Sequence, residues 1–385
     1  MPFALYLLAL AVFAQGTSEF MLAGLGPDIA SDLGVSVPAA GSLTSAFALG
    51  MIVGAPLMAV LGMRWPERRA LLTFLAVFMA VHVAGAVTTD FAVLVATRVA
   101  AALANAGFLA VALTAAAGMA PAGAKGRATS VLLGGVTAAC VAGVPAGAQL
   151  GQVLGWRSAF WAVAALCVPA LAAIVRSVPA APRPAGAGGG VAGELRALRD
   201  RRLQVTLLLG ALVNAATFCA FTYLASVVTR VAGIGAGWVP VMLALFGVGS
   251  FLGVTIGGRL ADAGPGPLRA AAGLALLGGW LAFALAAGDP VAATALVLVQ
   301  GTLSFAVGSA LIAQALYAAT AAPSLGGAFA TAAFNVGAAA GPWLGGLAIG
   351  AGHGFRAPLW VSAALVALAL ATAWTARAYD RRRVG

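Results

Sequence analysis

Charged side chains are scarce along this 385-residue chain, in which Asp, Glu, Lys and Arg together make up 8% of the sequence. A soluble domain typically has about 25% charged residues. Hydrophobic residues make up 62% of the chain, and its mean hydropathy is +1.04. This composition argues against a water-soluble protein and predicts one whose surface faces lipid.

Cysteine and histidine are also rare, which removes most kinds of metal or disulfide site. Cys140, Cys167 and Cys219 lie in apolar runs without a paired or CxxC spacing, so we interpret them as small hydrophobic side chains. His82 and His353 are far apart and suggest no ligand cluster. The sequence has no GxxxxGK[ST] nucleotide loop and no nucleophile–base constellation. We therefore expect no metal, no cofactor, no nucleotide-driven pump and no enzyme.

Long apolar runs, by contrast, recur along the whole chain. About 20 helical residues cross the roughly 30 Å hydrocarbon layer of a membrane. The polar breaks in the sequence delimit twelve such segments, at 4–25, 38–62, 70–88, 91–118, 128–153, 158–176, 203–229, 238–260, 269–287, 291–319, 327–350 and 358–376. No basic region precedes the first run, so we interpret it as a retained span and not as a cleaved signal peptide.

Two of these runs share an unusual pattern of glycine, proline, arginine and tryptophan. Each has glycines and a proline inside the run, an Arg where the run ends, and a Trp four residues later. The first copy is Gly143, Pro145, Gly147, Arg157 and Trp161, and the second is Gly341, Pro342, Arg356 and Trp360. The two prolines are 197 residues apart, close to half the chain. A duplicated polytopic membrane protein is typically a transporter.

The duplication predicts the fold class and the domains. We expect an all-α integral membrane protein of twelve transmembrane helices in two pseudo-symmetric six-helix bundles. The N-terminal bundle would be 1–176, the cytoplasmic linker 177–202, rich in Pro and Gly, and the C-terminal bundle 203–385 with a short basic tail. The glycines and prolines of the repeated pattern would permit close packing and bending as a hinge, although both residues are common in membrane helices generally.

The net charge of +11 comes from basic residues that flank the spans mainly on one side of the membrane. With the N-terminus inside, the outer loops keep only Arg157, Arg230 and Arg356, and the other loop arginines and Lys125 lie inside, as the positive-inside rule predicts. This distribution argues against a nucleic-acid surface and favours contact with lipid headgroups. We expect a multi-pass protein of the bacterial inner or plasma membrane, monomeric, with both termini in the cytoplasm.

Two residues of full charge lie inside apolar runs, Glu19 in the first span and Arg98 in the fourth. A charge at the bilayer centre costs several kcal/mol, roughly 3 on insertion scales, and suggests a function. Both residues are expected about 10 Å below the outer interface, where they either pair or share one water-filled cavity. A carboxyl between burial and a cation suits proton coupling. A static ion pair that locks two helices is the alternative.

Uncharged polar residues form a second candidate set. Gln15 lies one turn before Glu19, and Asn105 lies two turns after Arg98, on the same helical faces. The second half adds Asn214, Phe218, Phe221, Gln300 and Ser304. A cavity that mixes hydrogen bonds with aromatic walls suits a moderately apolar small molecule. A single Asn or Gln in a membrane helix also serves as a bond between helices, and that interpretation stays open.

The chain resembles the major facilitator superfamily over nearly its whole length. Gly134, Gly143, Val144-Pro145 and Gly147 resemble the antiporter motif of its drug:proton antiporters, with Val144 where a Gly is usual. Thr97-Arg98 followed by Asn105-Ala106-Gly107 resembles the span-four motif, whose Arg is implicated in proton transfer in that family. The runs Thr17-Ser18-Glu19-Phe20, Lys125-Gly126-Arg127 and Gly155-Trp156-Arg157 resemble most closely the bacterial chloramphenicol-resistance exporters of the twelve-span branch.

The resemblance implies proton-coupled efflux of a small amphiphilic drug by alternating access, with chloramphenicol as the expected substrate and the proton gradient as the energy source. Glu19 and Arg98 would couple the protons. The first alternative is efflux of sugars or sugar-like metabolites by the same fold, although the few polar residues argue against a sugar site. The second alternative, from another functional class, is a passive membrane facilitator.

Overall fold

A computed structural model describes residues 3–62, 65–119, 125–178, 195–262, 267–319 and 326–384, and regular structure within these ranges is entirely helical. The helices of the first half are α1 (Phe3–Phe20), α2 (Leu22–Asp32), α3 (Val37–Gly62), α4 (Glu67–Val87), α5 (Phe91–Met119), α6 (Lys125–Ala138), α7 (Val144–Leu154) and α8 (Arg157–Ser177). Those of the second half are α9 (Arg201–Thr222), α10 (Leu224–Ser226), α11 (Val239–Asp262), α12 (Pro267–Ala286), α13 (Pro290–Ala318), α14 (Gly326–Ala348) and α15 (Ala357–Val384).

The twelve predicted spans all correspond to helix, and the all-α membrane fold class is confirmed. Within the described residues, eleven helical segments are long and apolar enough to cross a membrane. The remaining predicted span, 269–287, corresponds to α12, in which a shorter apolar stretch, Ala271–Ala286, is found. The predicted linker 177–202 lies largely outside the described residues, which end at 178 and resume at 195 with a 3₁₀ turn, Leu195–Arg199.

Several predicted spans are interrupted where the sequence suggested continuous helix. The first breaks at Met21 and then continues to Asp32, beyond the predicted end at 25. The fifth contains a π-helical segment, Ala139–Gly143, which ends two residues before Pro145. The seventh breaks at Tyr223. Hydropathy reports how long an apolar run is, and it is insensitive to which carbonyl each N–H bonds, so these breaks were not predicted.

The chain folds into two compact units, 1–186 with 239–244 and 187–238 with 245–385. In the first unit α1 packs against α6 and α8, and α4 packs against α5 and α8. In the second unit α9 packs against α14 and α15, and α12 packs against α13 and α15. The same order of helix pairing therefore recurs in both units, as a duplicated chain should show.

Glycines bring equivalent helices together in each unit. A Cβ on Gly50 would meet the Ala102 side chain at 2.6 Å and the backbone of α5, and Gly54 lies one turn further along the same contact. In the second unit, Gly249 and Gly253 on α11 lie equally close to the backbone of α13. Small residues of this kind let membrane helices approach to backbone contact.

The aspartates that precede the fourth and tenth spans have the same role in both units. The Asp90 carboxylate accepts a hydrogen bond from the Val93 N–H at 3.0 Å, and the Asp289 carboxylate accepts one from the Ala292 N–H at 2.8 Å. Each caps the N-terminus of its helix, α5 or α13, where free N–H groups need acceptors.

The first unit closes around a buried core that includes Phe47, Phe78 and Phe108.

Candidate functional site: a buried polar network in the first unit

The break in the first span leaves the Ser18 carbonyl, next to Glu19, without its usual helical donor. The Met21 N–H still donates to the Thr17 carbonyl at 2.8 Å, but α1 ends at Phe20. The Gly24 N–H then donates to the Met21 carbonyl at 3.0 Å, three residues earlier and not four. In a continuous helix the Ser18 carbonyl would accept from the N–H four residues later. Here that carbonyl is available to another partner.

Arg98 supplies this partner from α5. Its Nη2 donates to the Ser18 carbonyl at 2.7 Å, and its Nη1 donates to the Ser18 hydroxyl oxygen at 2.8 Å. The guanidinium also lies over the Phe47 ring, 4.6 Å from the centroid. Arg98 is 1% exposed, and its Nε has no hydrogen-bond partner among the described residues. The cation is therefore held by a hydroxyl, a carbonyl and an aromatic face.

His82 on α4 completes the network, and the sequence reasoning missed it. The Ser18 Oγ and the His82 Nε2 are 2.6 Å apart, and the His82 Nδ1 is 2.7 Å from the Phe78 carbonyl. A carbonyl can only accept, so Nδ1 carries the hydrogen. A second cation one hydroxyl away from the Arg98 guanidinium is unfavourable, so we assign His82 as neutral, with its Nε2 accepting from the Ser18 hydroxyl. The available signals were a His inside an apolar span and a Ser directly before Glu19.

Glu19 lies beside this network but outside its hydrogen bonds. Its side chain is half-buried, and it makes no ion pair with Arg98 in the part of the chain that the structure describes. The Arg98 and Cys140 side chains both lie within electrostatic range of the carboxyl. The sequence suggested either a direct ion pair or a shared cavity. These two described residues form no direct ion pair, because the guanidinium of Arg98 bonds Ser18 instead.

Gln15 and Asn105, the other predicted residues of this half, are both buried, at 1% and 4% exposure. Neither Gln15 amide atom has a hydrogen-bond partner among the described residues. Asn105 donates a weak contact to the Met51 sulfur, at 3.6 Å. A buried amide without partners is costly, so these two side chains have hydrogen-bonding capacity to offer a ligand.

The second unit brings the predicted aromatic residues together with two others. Phe218 and Phe221 are 6.2 Å apart between centroids, Phe221 lies 4.7 Å from Phe246, and Phe246 lies 6.2 Å from Phe305. Asn214, on the same helix as Phe218 and Phe221, donates to the Phe334 carbonyl of α14 at 2.6 Å. Asn214 thus bonds two helices, the role that was the alternative to binding substrate.

Gln300 and Ser304 take different positions along α13. The Gln300 amide faces α12, where it approaches the Leu276 carbonyl at 3.5 Å and lies against Gly279. Ser304 is buried, and its hydroxyl has no partner among the described residues. Ser304 therefore remains a candidate for binding substrate, whereas Gln300 is turned towards a neighbouring helix.

A cavity of about 320 Å³ lies elsewhere in the second unit, between α9, α12, α13 and α15. Its walls are mostly apolar, with Gln314, Trp374 and Arg377 among the lining residues. The predicted binding residues of this half, Asn214, Phe218, Phe221, Gln300 and Ser304, do not line it. This cavity is thus separate from the aromatic cluster.

The repeated glycines and prolines mark close helix contacts in both units. A Cβ on Gly143 would collide with the Thr17 hydroxyl of α1, and one on Gly147 would meet Met21 at 3.5 Å. In the second unit, a Cβ on Gly341 would collide with the Ala215 carbonyl of α9, and the Pro342 carbonyl accepts from the Tyr223 hydroxyl at 2.8 Å. Pro145 follows the π-helical segment in the first turn of α7.

The arginines of the repeated pattern lie against equivalent turns. Arg157 donates to the Thr88 carbonyl at 3.0 Å, and Arg356 lies against Gly288, each just before the Asp that caps the next helix. Arg157 also forms an ion pair with Asp32, which accepts from the Trp156 Nε1 at 3.1 Å. The hydrogen bond from Arg157, and to a smaller extent the one from Trp156, lowers the pKa of Asp32.

Comparison with known proteins places these features in context. The family model of the Major Facilitator Superfamily matches residues 8–331. A chloramphenicol resistance protein of Streptomyces lividans is 59% identical over 379 residues, 98% of this chain and 97% of that protein. Inner membrane transport protein YdhP of Escherichia coli K12 is 34% identical, covering 96% of this chain and 94% of that protein.

Solved structures agree on the fold. An inward-facing, unoccupied bacterial homolog of the human lysosomal transporter Spinster superposes with a TM-score of 0.78, covering 96% of this chain and 94% of that one. Its sequence identity is 18%, so this likeness concerns the fold alone.

Proposed function

The chain belongs to the Major Facilitator Superfamily, and from this premise we propose that it exports a small amphiphilic drug, with chloramphenicol as the expected substrate. The observation that carries the proposal is the 59% identity, over nearly the full length of both chains, to a chloramphenicol resistance protein. The 34% identity to an inner membrane transport protein supports transport as the activity and the inner membrane as the location.

The energy for export would come from protons moving inward. Glu19 is the acidic residue that lies beside a buried cation, and among the described residues the two form no ion pair, so the Glu19 carboxyl is free to gain and lose a proton. Deprotonated Glu19 would attract Arg98, whereas protonated Glu19 would leave Arg98 with Ser18. Export is coupled only if drug and proton prefer different conformers, since equal affinity shifts no equilibrium.

Buried polar and aromatic groups support two places for drug contact. In the first unit these are the amide of Gln15, which has no hydrogen-bond partner among the described residues, and the amide of Asn105. In the second unit they are the Ser304 hydroxyl and the rings of Phe218 and Phe221. Chloramphenicol combines an aromatic ring with an amide and hydroxyl groups, which suits this mixture. The protein would work as a monomer by alternating access, with Gly143, Gly147 and Gly341 allowing helices to move in contact.

The decisive test measures labelled chloramphenicol in cells that express the chain, before and after an uncoupler. We expect lower accumulation than in empty cells, and the uncoupler should reverse the difference. Glu19→Gln should abolish export at unchanged expression. Glu67→Gln, which changes an acidic residue in the first turn of α4, is the matched control and should export normally.

Other outcomes would point elsewhere. Transport that the uncoupler leaves unchanged would indicate a passive facilitator and would remove the role given to Glu19. Accumulation equal to that of empty cells would reject chloramphenicol, and the next assay would then measure relief of sugar stress, which tests sugar efflux.

A further inference from the structure

The network around Arg98 has a fixed hydrogen-bond direction along its whole length. Arg98 donates to Ser18, Ser18 donates to His82, and His82 donates to the Phe78 carbonyl. Ser18 and His82 are 0% and 1% exposed, so water does not compete for these bonds. Three helices, α1, α4 and α5, each supply one member. Such a buried and directional chain holds the guanidinium at one position.

The network holds the Arg98 guanidinium on Ser18 and not on the Glu19 carboxyl, although Ser18 and Glu19 are adjacent in sequence. Arginine bonds a carboxylate more strongly than it bonds a hydroxyl or a carbonyl. The Nε of Arg98 has no partner among the described residues, so the side chain retains capacity to bond Glu19. Ser18 and His82 therefore compete with Glu19 for the same cation.

We propose that Ser18 and His82 are positioning residues that hold Arg98 away from Glu19, so that Glu19 keeps its proton at higher pH than it would beside a free guanidinium. The inference rests on the proposed role of Glu19 as the proton carrier. His82 acts only in its neutral form here, because Nε2 must accept from Ser18. When Glu19 loses its proton, its carboxylate binds Arg98. When Glu19 is protonated again, Arg98 returns to the site formed by Ser18 and His82.

Few charged or titratable groups of the described residues face Glu19 from the surrounding helices. Arg98 comes from α5, Cys140 from the π-helical segment that packs on α1, and His82 from α4 behind Arg98. On α2, Asp28 is exposed, and Asp32 at the far end of the helix forms an ion pair with Arg157. A change in the protonation of Glu19 on mutation of Ser18 or His82 is thus transmitted chiefly through Arg98.

The test measures Glu19 protonation directly, without any substrate. The full-length protein in lipid nanodiscs is treated with dicyclohexylcarbodiimide, which modifies protonated carboxyls, and Glu19 labelling is quantified by peptide mass spectrometry across a pH series. Ser18→Ala should move the half-labelling point of Glu19 to lower pH by about one unit, as expected for a carboxyl that gains a nearby cation. His82→Leu should move it in the same direction by less, because Arg98 keeps both bonds to Ser18.

Matched variants separate this role from general packing. Thr17→Val is the control, since the Thr17 hydroxyl bonds its own helix, at the Phe13 carbonyl 2.8 Å away, and its half-labelling point should equal that of the unmodified protein. Ser18→Thr keeps the hydroxyl and should restore the original value. If Ser18→Ala does not fold, Ser18→Cys replaces it, because a thiol is a weak acceptor and should give the same acid shift.

Unchanged half-labelling points in both Ser18 and His82 variants would overturn the inference, as would a shift to higher pH. The result is independent of the export assay. An acid shift in a protein that exports no chloramphenicol would support the positioning role and reject the drug assignment. Normal uncoupler-sensitive export with unchanged half-labelling points would support the drug assignment and reject the positioning role.

Discussion

At the level of single residues, the first unit buries a cation that has no carboxylate partner among the described residues. Burying an unpaired charge in an apolar medium is expensive, and the Phe47 ring and the two bonds to Ser18 offset part of that cost. A purely structural device would gain more from a direct ion pair. The separation of Arg98 from Glu19 is instead what a site needs if one of its members must exchange protons.

A different carboxylate, Asp32, illustrates a structural use of charge. The Arg157 and Trp156 hydrogen bonds lower the pKa of Asp32, so they favour the folded state while Asp32 is ionised. This stability is present above the ordinary pKa of an aspartate and is lost as the pH falls through the lowered pKa in the folded protein. The pair is partly exposed, with side chains 31% and 44% accessible, so its contribution is modest.

We predict that Asp32→Asn lowers the Tm of the purified protein by about 1 °C at pH 7. The difference from the unmodified protein should shrink as the pH falls below about 4, because the unfolded chain then binds a proton at Asp32 that the folded protein, with its lowered pKa, takes up only at lower pH. Asp28→Asn, one turn earlier on the same helix and exposed, should not lower the Tm. Equal Tm values for Asp32→Asn and the unmodified protein at pH 7 would contradict the prediction.

At the level of the helix, the repeated glycines are positions where two spans touch without a side chain between them. Added carbons at Gly143 and Gly341 meet different obstacles. At Gly143 the obstacle is the Thr17 side chain, which is able to rotate, whereas at Gly341 it is the Ala215 carbonyl and the Cys219 N–H of α9. Backbone yields less easily than a side chain, so the two copies of the pattern should differ in their tolerance of substitution.

Gly341→Ala should therefore destabilise the protein by about 1–3 kcal/mol, the usual cost of forcing extra volume into a packed contact. Gly143→Ala should cost less. Thermal unfolding in detergent, followed by size-exclusion chromatography, measures both effects. Gly350→Ala and Gly134→Ala are the controls on the same two spans, since nothing in the described part of the chain lies within 4 Å of a Cβ added at either position. A Gly341→Ala protein as stable as its control would show that the α9–α14 contact is loose.

The helix breaks also decide where polar groups become available. The interruption at Met21 frees the Ser18 carbonyl for Arg98, and the break at Tyr223 places that hydroxyl on the Pro342 carbonyl. Irregular backbone inside a membrane is tolerated where protein groups satisfy it, and Arg98 meets that condition at the Met21 break by bonding the Ser18 carbonyl.

On the scale of the whole molecule, two units of one helix-pairing order make up a chain of about twelve membrane segments. The equivalent residues, Asp90 with Asp289 and Arg157 with Arg356, keep equivalent places. Glu19 and Arg98 have no charged counterparts in the second half, which places Phe218-Cys219 and Val297-Leu298 at the matching regions. Duplication thus explains the scaffold, and the proposed proton site is specific to the first unit.

The placement of basic residues predicts the orientation of the chain. Green fluorescent protein fused to the C-terminus should fluoresce, and alkaline phosphatase fused there should be inactive, because the basic tail is expected in the cytoplasm. Alkaline phosphatase inserted after Gly235, between the seventh and eighth spans, should be active. The opposite pattern at both sites would mean that the orientation is reversed.

The sequence alone determined the lipid environment, the number of apolar segments, the duplication and the presence of Glu19 and Arg98 within the spans. Each of these depends on composition or on spacing along the chain. Only the tertiary structure decided that Arg98 bonds Ser18, 80 residues away, that Ser18 bonds His82, 64 residues away, and that Gln300 turns towards α12. Such contacts depend on the rotation and packing of neighbouring helices, and in spans rich in Ala and Gly many rotations bury apolar surface equally well.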